Sequence, residues 1–282
     1  MCAAITEMAE ADGKLVGQGD VDAYERDGAV CIRGVLDDGE IELLREEIEQ
    51  GLERKGAGFK NHTERNKGET GRFAHMFQMW QQSDRLASFT ANSRLVDVVA
   101  DLMRTSKVNL FFDQAFAKEP GTVDPTPWHV DQTFWPLTGR QVITTWVALD
   151  EIDRTSGGVE FVAGSHLWNR MFQPKSFSGD NDVEVQPEFE QMPDIEADRS
   201  AYNIISWDMN PGDILAFNGM TLHGAPGNAT SDRRRRGYAV RYSGDDAVYT
   251  PRPSSTPDLM HEDLVAGGPI DSVHYPVVPG TR

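Results

Sequence analysis

The 282-residue sequence predicts a domain that is mainly β with supporting helices, either an α+β arrangement or a barrel with helical supports. Three observations carry this. Helical spacing of apolar residues dominates up to about Met103. Beyond Val108 it gives way to short apolar or alternating runs separated by turn residues. Hydrophobic residues make up 39% of the chain and aromatics 9%, which is enough material for a core and argues against global disorder.

Residues 1–18 carry little periodicity and are expected to be a flexible N-terminus preceding a single domain over 19–282. Asp20 is placed to cap a short helix that ends at Gly28, and Ala29–Val35 reads as a strand. Asp37 or Asp38 then caps a longer helix with Ile41, Leu44, Ile48 and Leu52 at helical spacing, closing near Gly51 and Gly56. Residues 56–72, rich in glycine and charge, are expected to form a mobile loop. A further helix spans about Leu86–Met103, with Leu95, Val98, Val99 and Leu102 on one face. The runs VNLFFDQAFAK, QVITTWVALDEI, GGVEFVAG, GDILAFNG and RRGYAVRYS read as strands. An acidic, proline-containing stretch at about 169–206 interrupts them as an insertion, placed where it would border the substrate entrance. The tail after Ser243 is rich in proline and serine, and the chain has no internal repeat.

The formal net charge of −18 argues against nucleic acid and anionic membranes as partners, since both would repel the chain. The charge is concentrated: residues 1–60 hold fifteen acidic and seven basic residues, and residues 178–208 hold nine and one. Both segments read as solvated surfaces. Cys2 and Cys31 are the only cysteines, too few for a disulfide framework or a cysteine metal site. With no signal-peptide pattern and no long apolar stretch, a cytoplasmic location is expected.

Chemistry concentrates in three places. In TPWHVDQTFWPL, His129 and Asp131 stand two apart, so an extended backbone projects both to one face. His223 follows in PGDILAFNGMTLHGAPGN, just after a predicted strand. Two imidazoles and one carboxylate make a facial set suited to non-haem Fe(II) with open coordination positions, and zinc competes on ligand type alone. The third place is the run Arg233–Arg236 at the head of the last strand. Arginine pairs bidentately with carboxylates, and alternation on a strand turns about two of the four inward. For any single one of them, a solvated basic surface answering the acidic segments is the simpler reading.

The blocks QAFAKEPG, TPWHVDQTFWPL, TTWVALDEI, SGGVEFVAGSHLW, NPGDILAFNGMTLHGAPGN and RRRRGYAVRY occur in an order and spacing that resemble the phytanoyl-CoA dioxygenase-like family of Fe(II)/2-oxoglutarate oxygenases. The resemblance covers roughly residues 20–245. It implies a double-stranded β-helix, the cupin-like jelly roll, with helices packed on one sheet. It also implies that His129, Asp131 and His223 ligate iron, and that Gln114 and Trp146 contact 2-oxoglutarate. An arginine after the distal histidine pairs with the cosubstrate's far carboxylate. The family's usual interval from His223 lands on Arg234, whereas aligning back from the strand end lands on Arg235. Arg235 shares parity with the small residues Gly237 and Ala239, so it is the first choice and Arg234 the second.

The implied reaction consumes dioxygen and 2-oxoglutarate, releases succinate and carbon dioxide, and oxidises a bound substrate by hydroxylation, desaturation, epimerisation or cyclisation. Relatives that halogenate carry a small residue at the Asp131 position, so halogenation is not expected. Phe134, Trp135 and the run RFAHMFQMW (Phe73, His75, Met76, Phe77, Met79, Trp80) suggest a hydrophobic small-molecule substrate of secondary metabolism, with ordinary core packing as the equal alternative for the run. Trp128 is assigned to barrel core or cosubstrate wall, and His166 to packing or hydrogen bonding. The protein is expected to be a monomer or small homo-oligomer. The competing functions are a cupin-like metal-dependent hydrolase and a ligand-binding barrel without turnover.

Overall fold

The computed structural model describes residues 14–62, 71–174 and 186–279. In chain order the helices are α1 (Gln18–Asp27), α2 (Asp38–Arg54), α3 (Asp84–Asn92) and α4 (Leu95–Met103). The strands are β1 (Ala29–Ile32), β2 (Lys60–Asn61), β3 (Phe73–Phe77), β4 (Asn109–Lys118), β5 (Thr126–His129), β6 (Leu137–Thr138), β7 (Val142–Ala148), β8 (Glu160–Val162), β9 (Ile204–Ile205), β10 (Ile214–Asn218), β11 (His223–Ala225), β12 (Arg235–Ser243) and β13 (Val248–Tyr249).

A seven-stranded sheet runs β1-β10-β7-β12-β4-β3-β2, and a four-stranded sheet runs β5-β11-β8-β9, both antiparallel. Their inner faces meet, as where Phe161 of β8 packs 5.0 Å from Phe217 of β10, giving the jelly roll. Period-two alternation splits each strand of the large sheet. Tyr238, Val240 and Tyr242 of β12, Ile143 and Val147 of β7, and Ile214 and Ala216 of β10 join a core with Leu44, Ile48, Val98 and Val99 of the helices. Trp146, Ala148, Leu215, Phe217 and Ala239 turn the other way, into the barrel with Phe116 and Phe161.

Several expectations shift in detail. Asp20 is not the cap of α1. Gly17 occupies that position, and the Asp20 carboxylate reaches back to accept the Gly17 N–H at 2.9 Å. Gly28 does end the helix, in the left-handed conformation that glycine adopts without strain. Asp37 caps α2 in a reciprocal box with Glu40. That helix runs through Gly51 to Arg54, because Gly51 is a packing glycine: a Cβ there would stand 2.5 Å from Met76 Sδ. The single helix expected over 86–103 is two, broken where Ser93 turns extended. Within the expected loop 56–72, Lys60–Asn61 forms an edge strand, and residues 63–70 lie outside the described residues. Residues 1–13 of the expected flexible N-terminus lie outside them too, whereas Val16 is buried against the helical core.

In the segment expected as an insertion, the described residues join the small sheet and a hydrophobic cluster beside it. Phe172 and Ile195 pack with Val130, Val162 and Leu222 in a cluster that also takes in Trp128, and Ile204–Ile205 adds a strand to the small sheet. Residues 175–185 lie outside the described residues. The tail is ordered by β13 pairing with β6 and by the buried Leu259, Ile270 and Tyr275. Among the described residues, no helix is long and apolar enough to cross a membrane.

Candidate active site

His129 ends β5, Val130 continues extended, and the chain then turns into a short 3-10 helix at Asp131. His223 opens β11, directly paired with His129 across the small sheet. One ligand atom from each of His129, Asp131 and His223 falls within 4.8 Å of the others. Asp131 Oδ1 lies 3.5 Å from His129 Nε2 and 3.9 Å from His223 Nε2.

The tautomers follow from the backbone. His129 Nδ1 donates to the Pro127 carbonyl (2.8 Å) and His223 Nδ1 to the Thr221 carbonyl (2.9 Å). A carbonyl only accepts, so each Nδ1 carries the proton and each Nε2 presents its lone pair to the common centre. Burial, reinforced by His129, lowers His223 to about 3, so it is neutral and ready to ligate. Burial disfavours the Asp131 charge, but the two histidines and Arg241 around it outweigh that and hold the carboxyl below its ordinary range. Thr144 Oγ1 donates to Asp131 Oδ2 at 3.1 Å, fixing the carboxylate so that Oδ1 faces the histidines. Two Nε2 atoms and one carboxylate oxygen on a single face fit a six-coordinate divalent metal with positions to spare.

The four arginines separate cleanly. Arg233 pairs with Asp153 at 2.7 Å, Arg234 with Glu49 and Glu119, and Arg236 with Asp150 and Glu49. Arg235 alone is buried. Its Nε donates to the Gly157 carbonyl at 3.0 Å, its guanidinium lies 4.6 Å from the Trp146 ring centroid, and among the described residues it has no ion-pair partner. Burial lowers it to about 10, with Asp150 opposing. A buried guanidinium with no carboxylate is fitted to receive one. Arg234, the second choice from sequence, is occupied by two glutamates at the surface.

Gln114 on β4, Ala239 on β12 and Trp146 on β7 lie in one cross-strand row of the inner face. That row stands between the Arg235 end and the triad. Trp146 runs back along β12 toward Arg235, which is possible because residue 237 is glycine: a Cβ there would sit 1.9 Å from Trp146 Cζ2. The aromatic run of β3 divides by parity. Phe73, His75 and Phe77 share rows with the inner residues Lys118, Phe116 and Gln114, whereas Met76 and Met79 belong to the helical core. Phe134 packs edge-on to the His129 ring at 6.1 Å. Trp128 is neither barrel core nor cosubstrate wall. It packs in the cluster that the 169–206 segment joins, and its Nε1 donates to Glu196. His166 packs against Gly28 and donates from Nε2 to the Glu25 carbonyl.

Three inner-face residues went unnoticed in the sequence: Thr144, Lys118 and Arg241. Lys118 is fully buried, its Nζ donating to the Pro226 carbonyl beside Arg235 and lying 4.6 Å from the Phe73 ring centroid. The signal for all three was present. Lys118 shares parity with Gln114, Thr144 with Trp146, and Arg241 with Arg235.

The phytanoyl-CoA dioxygenase (PhyH) family profile matches residues 24–237. Dioxygenase FrzG of Cladobotryum sp is 23% identical over 274 residues, covering 90% of this chain and 80% of its own. The peroxisomal phytanoyl-CoA dioxygenase of Rattus norvegicus is 23% identical over 239 residues, covering 80% and 68%. Among solved structures, the non-haem α-ketoglutarate-dependent carbocyclase SnoK of nogalamycin biosynthesis superposes with a TM-score of 0.72 at 24% identity, covering 93% of this chain and 96% of its own. The epimerase SnoN of the same biosynthesis gives 0.71 at 21%, covering 93% and 98%. These superpositions speak to the fold.

Proposed function

The chain belongs to the phytanoyl-CoA dioxygenase family, and from that premise we propose that it is a non-haem Fe(II)- and 2-oxoglutarate-dependent oxygenase acting on a hydrophobic small molecule. The observation that carries this is the pairing of two features on facing sheets: a His-Asp-His set with its Nε2 atoms turned to one point, and a buried arginine lacking an acid. Bound iron and 2-oxoglutarate would supply oxidative decarboxylation, with release of succinate and carbon dioxide.

In this reading His129, Asp131 and His223 hold the metal on one face, and Thr144 keeps Asp131 oriented. Arg235 holds the far carboxylate of the keto acid, with Gln114 and Trp146 as the walls of its channel. Phe112, Phe116, Phe134 and Phe217 keep the centre dry, which strengthens every charge interaction within it. SnoK is named a carbocyclase and SnoN an epimerase, so ring closure and stereochemical inversion stand beside hydroxylation as outcomes for this chain. The few cysteines support a cytoplasmic location.

Purified protein given Fe(II) and 2-oxoglutarate is expected to form succinate slowly without added substrate, and Asp131→Ala to abolish it. Wild-type protein that does not bind 2-oxoglutarate refutes the proposal. A hydrolase would need no keto acid, and a non-catalytic barrel would keep its ligand affinity in Asp131→Ala.

A further inference from the structure

Arg241 is 5% exposed, and its Nε and Nη1 have no hydrogen-bond partner among the described residues. Its guanidinium lies 4.6 Å from the Phe112 ring centroid and 5.9 Å from that of Phe116. Cation–π attraction accounts for the face of the guanidinium but leaves its in-plane N–H groups desolvated, a costly state for a buried cation. In the sheet, Arg241 pairs across to Phe112 on one side and to Thr144 on the other, and Thr144 pairs onward to Phe217. Thr144 bonds Asp131, and Phe217 packs 4.7 Å from the His223 ring. Arg241 therefore stands in the row of the sheet that faces the metal-binding triad.

It is a different place from the Arg235 site. Six residue steps along the strand separate the two, about 20 Å of backbone, and the Trp146–Ala239–Gln114 row lies between them. The distal carboxylate held at Arg235 does not extend to Arg241. Asp131 is a carboxylate on this face, but its two oxygens are directed to Thr144 and to the histidines. A divalent cation on the triad adds positive charge to the same space, so the acceptor that Arg241 lacks is an anion.

We infer that Arg241 is a second anion anchor, holding a carboxylate or enolate oxygen next to the metal position and separate from the carboxylate at Arg235. Two sources share that chemistry: the metal-side carboxylate of the keto acid and an acidic group on the primary substrate. The inference rests on the oxygenase reading.

Equilibrium binding to Mn(II)-loaded protein tests it, measured by calorimetry with 2-oxoglutarate, pyruvate (a keto acid with no far carboxylate), benzoate and benzamide. If the keto acid is the source, Arg241→Met weakens 2-oxoglutarate and pyruvate tenfold or more, while Arg235→Met weakens 2-oxoglutarate alone. If the substrate is the source, Arg241→Met leaves both keto acids unchanged. It then weakens benzoate tenfold or more at saturating 2-oxoglutarate, with benzamide unaffected. Affinities all within twofold of wild type overturn the inference. So does a loss matched by an equal loss of Mn(II) affinity, which would make Arg241 a support for Asp131. Arg241→Lys keeps the buried charge without the fork and is expected to lose threefold or more for the same probe; if Arg241→Met does not fold, wild-type affinities in the lysine variant overturn the inference. Wild-type protein that binds neither Mn(II) nor 2-oxoglutarate defeats the oxygenase reading instead.

Discussion

Successive side chains on a strand point to opposite faces, so Arg234 and Arg235, adjacent at the head of β12, have opposite surroundings. Arg234 meets Glu49 and Glu119 outside, and Arg235 meets Trp146 and the Gly157 carbonyl inside. Arg235→Met is expected to raise the 2-oxoglutarate dissociation constant at least tenfold, and Arg234→Met to change it less than twofold, in a direct titration. Thr144 acts one contact away from the metal position. Thr144→Val removes the donor to Asp131 Oδ2 at nearly constant volume, and Mn(II) affinity should fall about tenfold, the low end for such supporting contacts. An unchanged metal titration would show that Asp131 is oriented without it. Parity in the sequence already favoured Arg235 over Arg234. The partners that distinguish them, Glu49 in α2 and Glu119 after β4, lie far away in sequence and were not legible.

At the level of elements, caps and small residues decide how the strands and helices meet. The Asp37–Glu40 box starts α2, and Asp37→Ala should cost about 1 kcal/mol, read as a lower urea midpoint. Gly237 matters for space, since a Cβ would collide with the Trp146 indole. Gly237→Ala is expected to destabilise the fold by about 1–3 kcal/mol and to weaken 2-oxoglutarate binding by displacing the indole. Wild-type stability and affinity in that variant would mean that Trp146 moves freely. The five main strand runs were legible because their alternation and turn residues are local signals. The break at Ser93 and the passage of α2 through Gly51 were not. The α3–α4 turn and Met76 against Gly51 are matters of packing, which local periodicity does not carry.

Over the whole molecule, the −18 charge is arranged by depth. Acidic side chains at the surface take up three of the four clustered arginines, while three basic residues, Lys118, Arg235 and Arg241, are buried inside the barrel. Buried titratable groups also set a pH dependence. Burial lowers both His75 and His223 to about 3, from an unfolded value of about 6.5, so acidification protonates the unfolded chain first. Metal-free protein should lose stability as pH falls below about 6.5, by about 1.4 kcal/mol per pH unit for each histidine. Burial raises Asp113 to about 6 against its hydrogen bonds, so below that pH it takes up a proton in the folded state and offsets one histidine. His75→Gln should therefore make the profile nearly flat between about pH 6 and 4 in urea unfolding, and a flat profile in the wild type would contradict the assignment.

By itself the sequence determined the order of the main strand runs and the helices that precede them, the residue types of the metal set and, through parity, which arginine turns inward. Each rests on spacing within a few residues, or on blocks recurring in a fixed order. Tertiary structure decided the rest: the pairing of His129 with His223 from segments 94 residues apart, the two carbonyls that set their tautomers, and the surface acids that hold Arg233, Arg234 and Arg236. It also brought Arg241 level with the triad. Sheet register and burial arise from contacts between distant segments, so the depth of a charge and the company it keeps are properties of the folded chain.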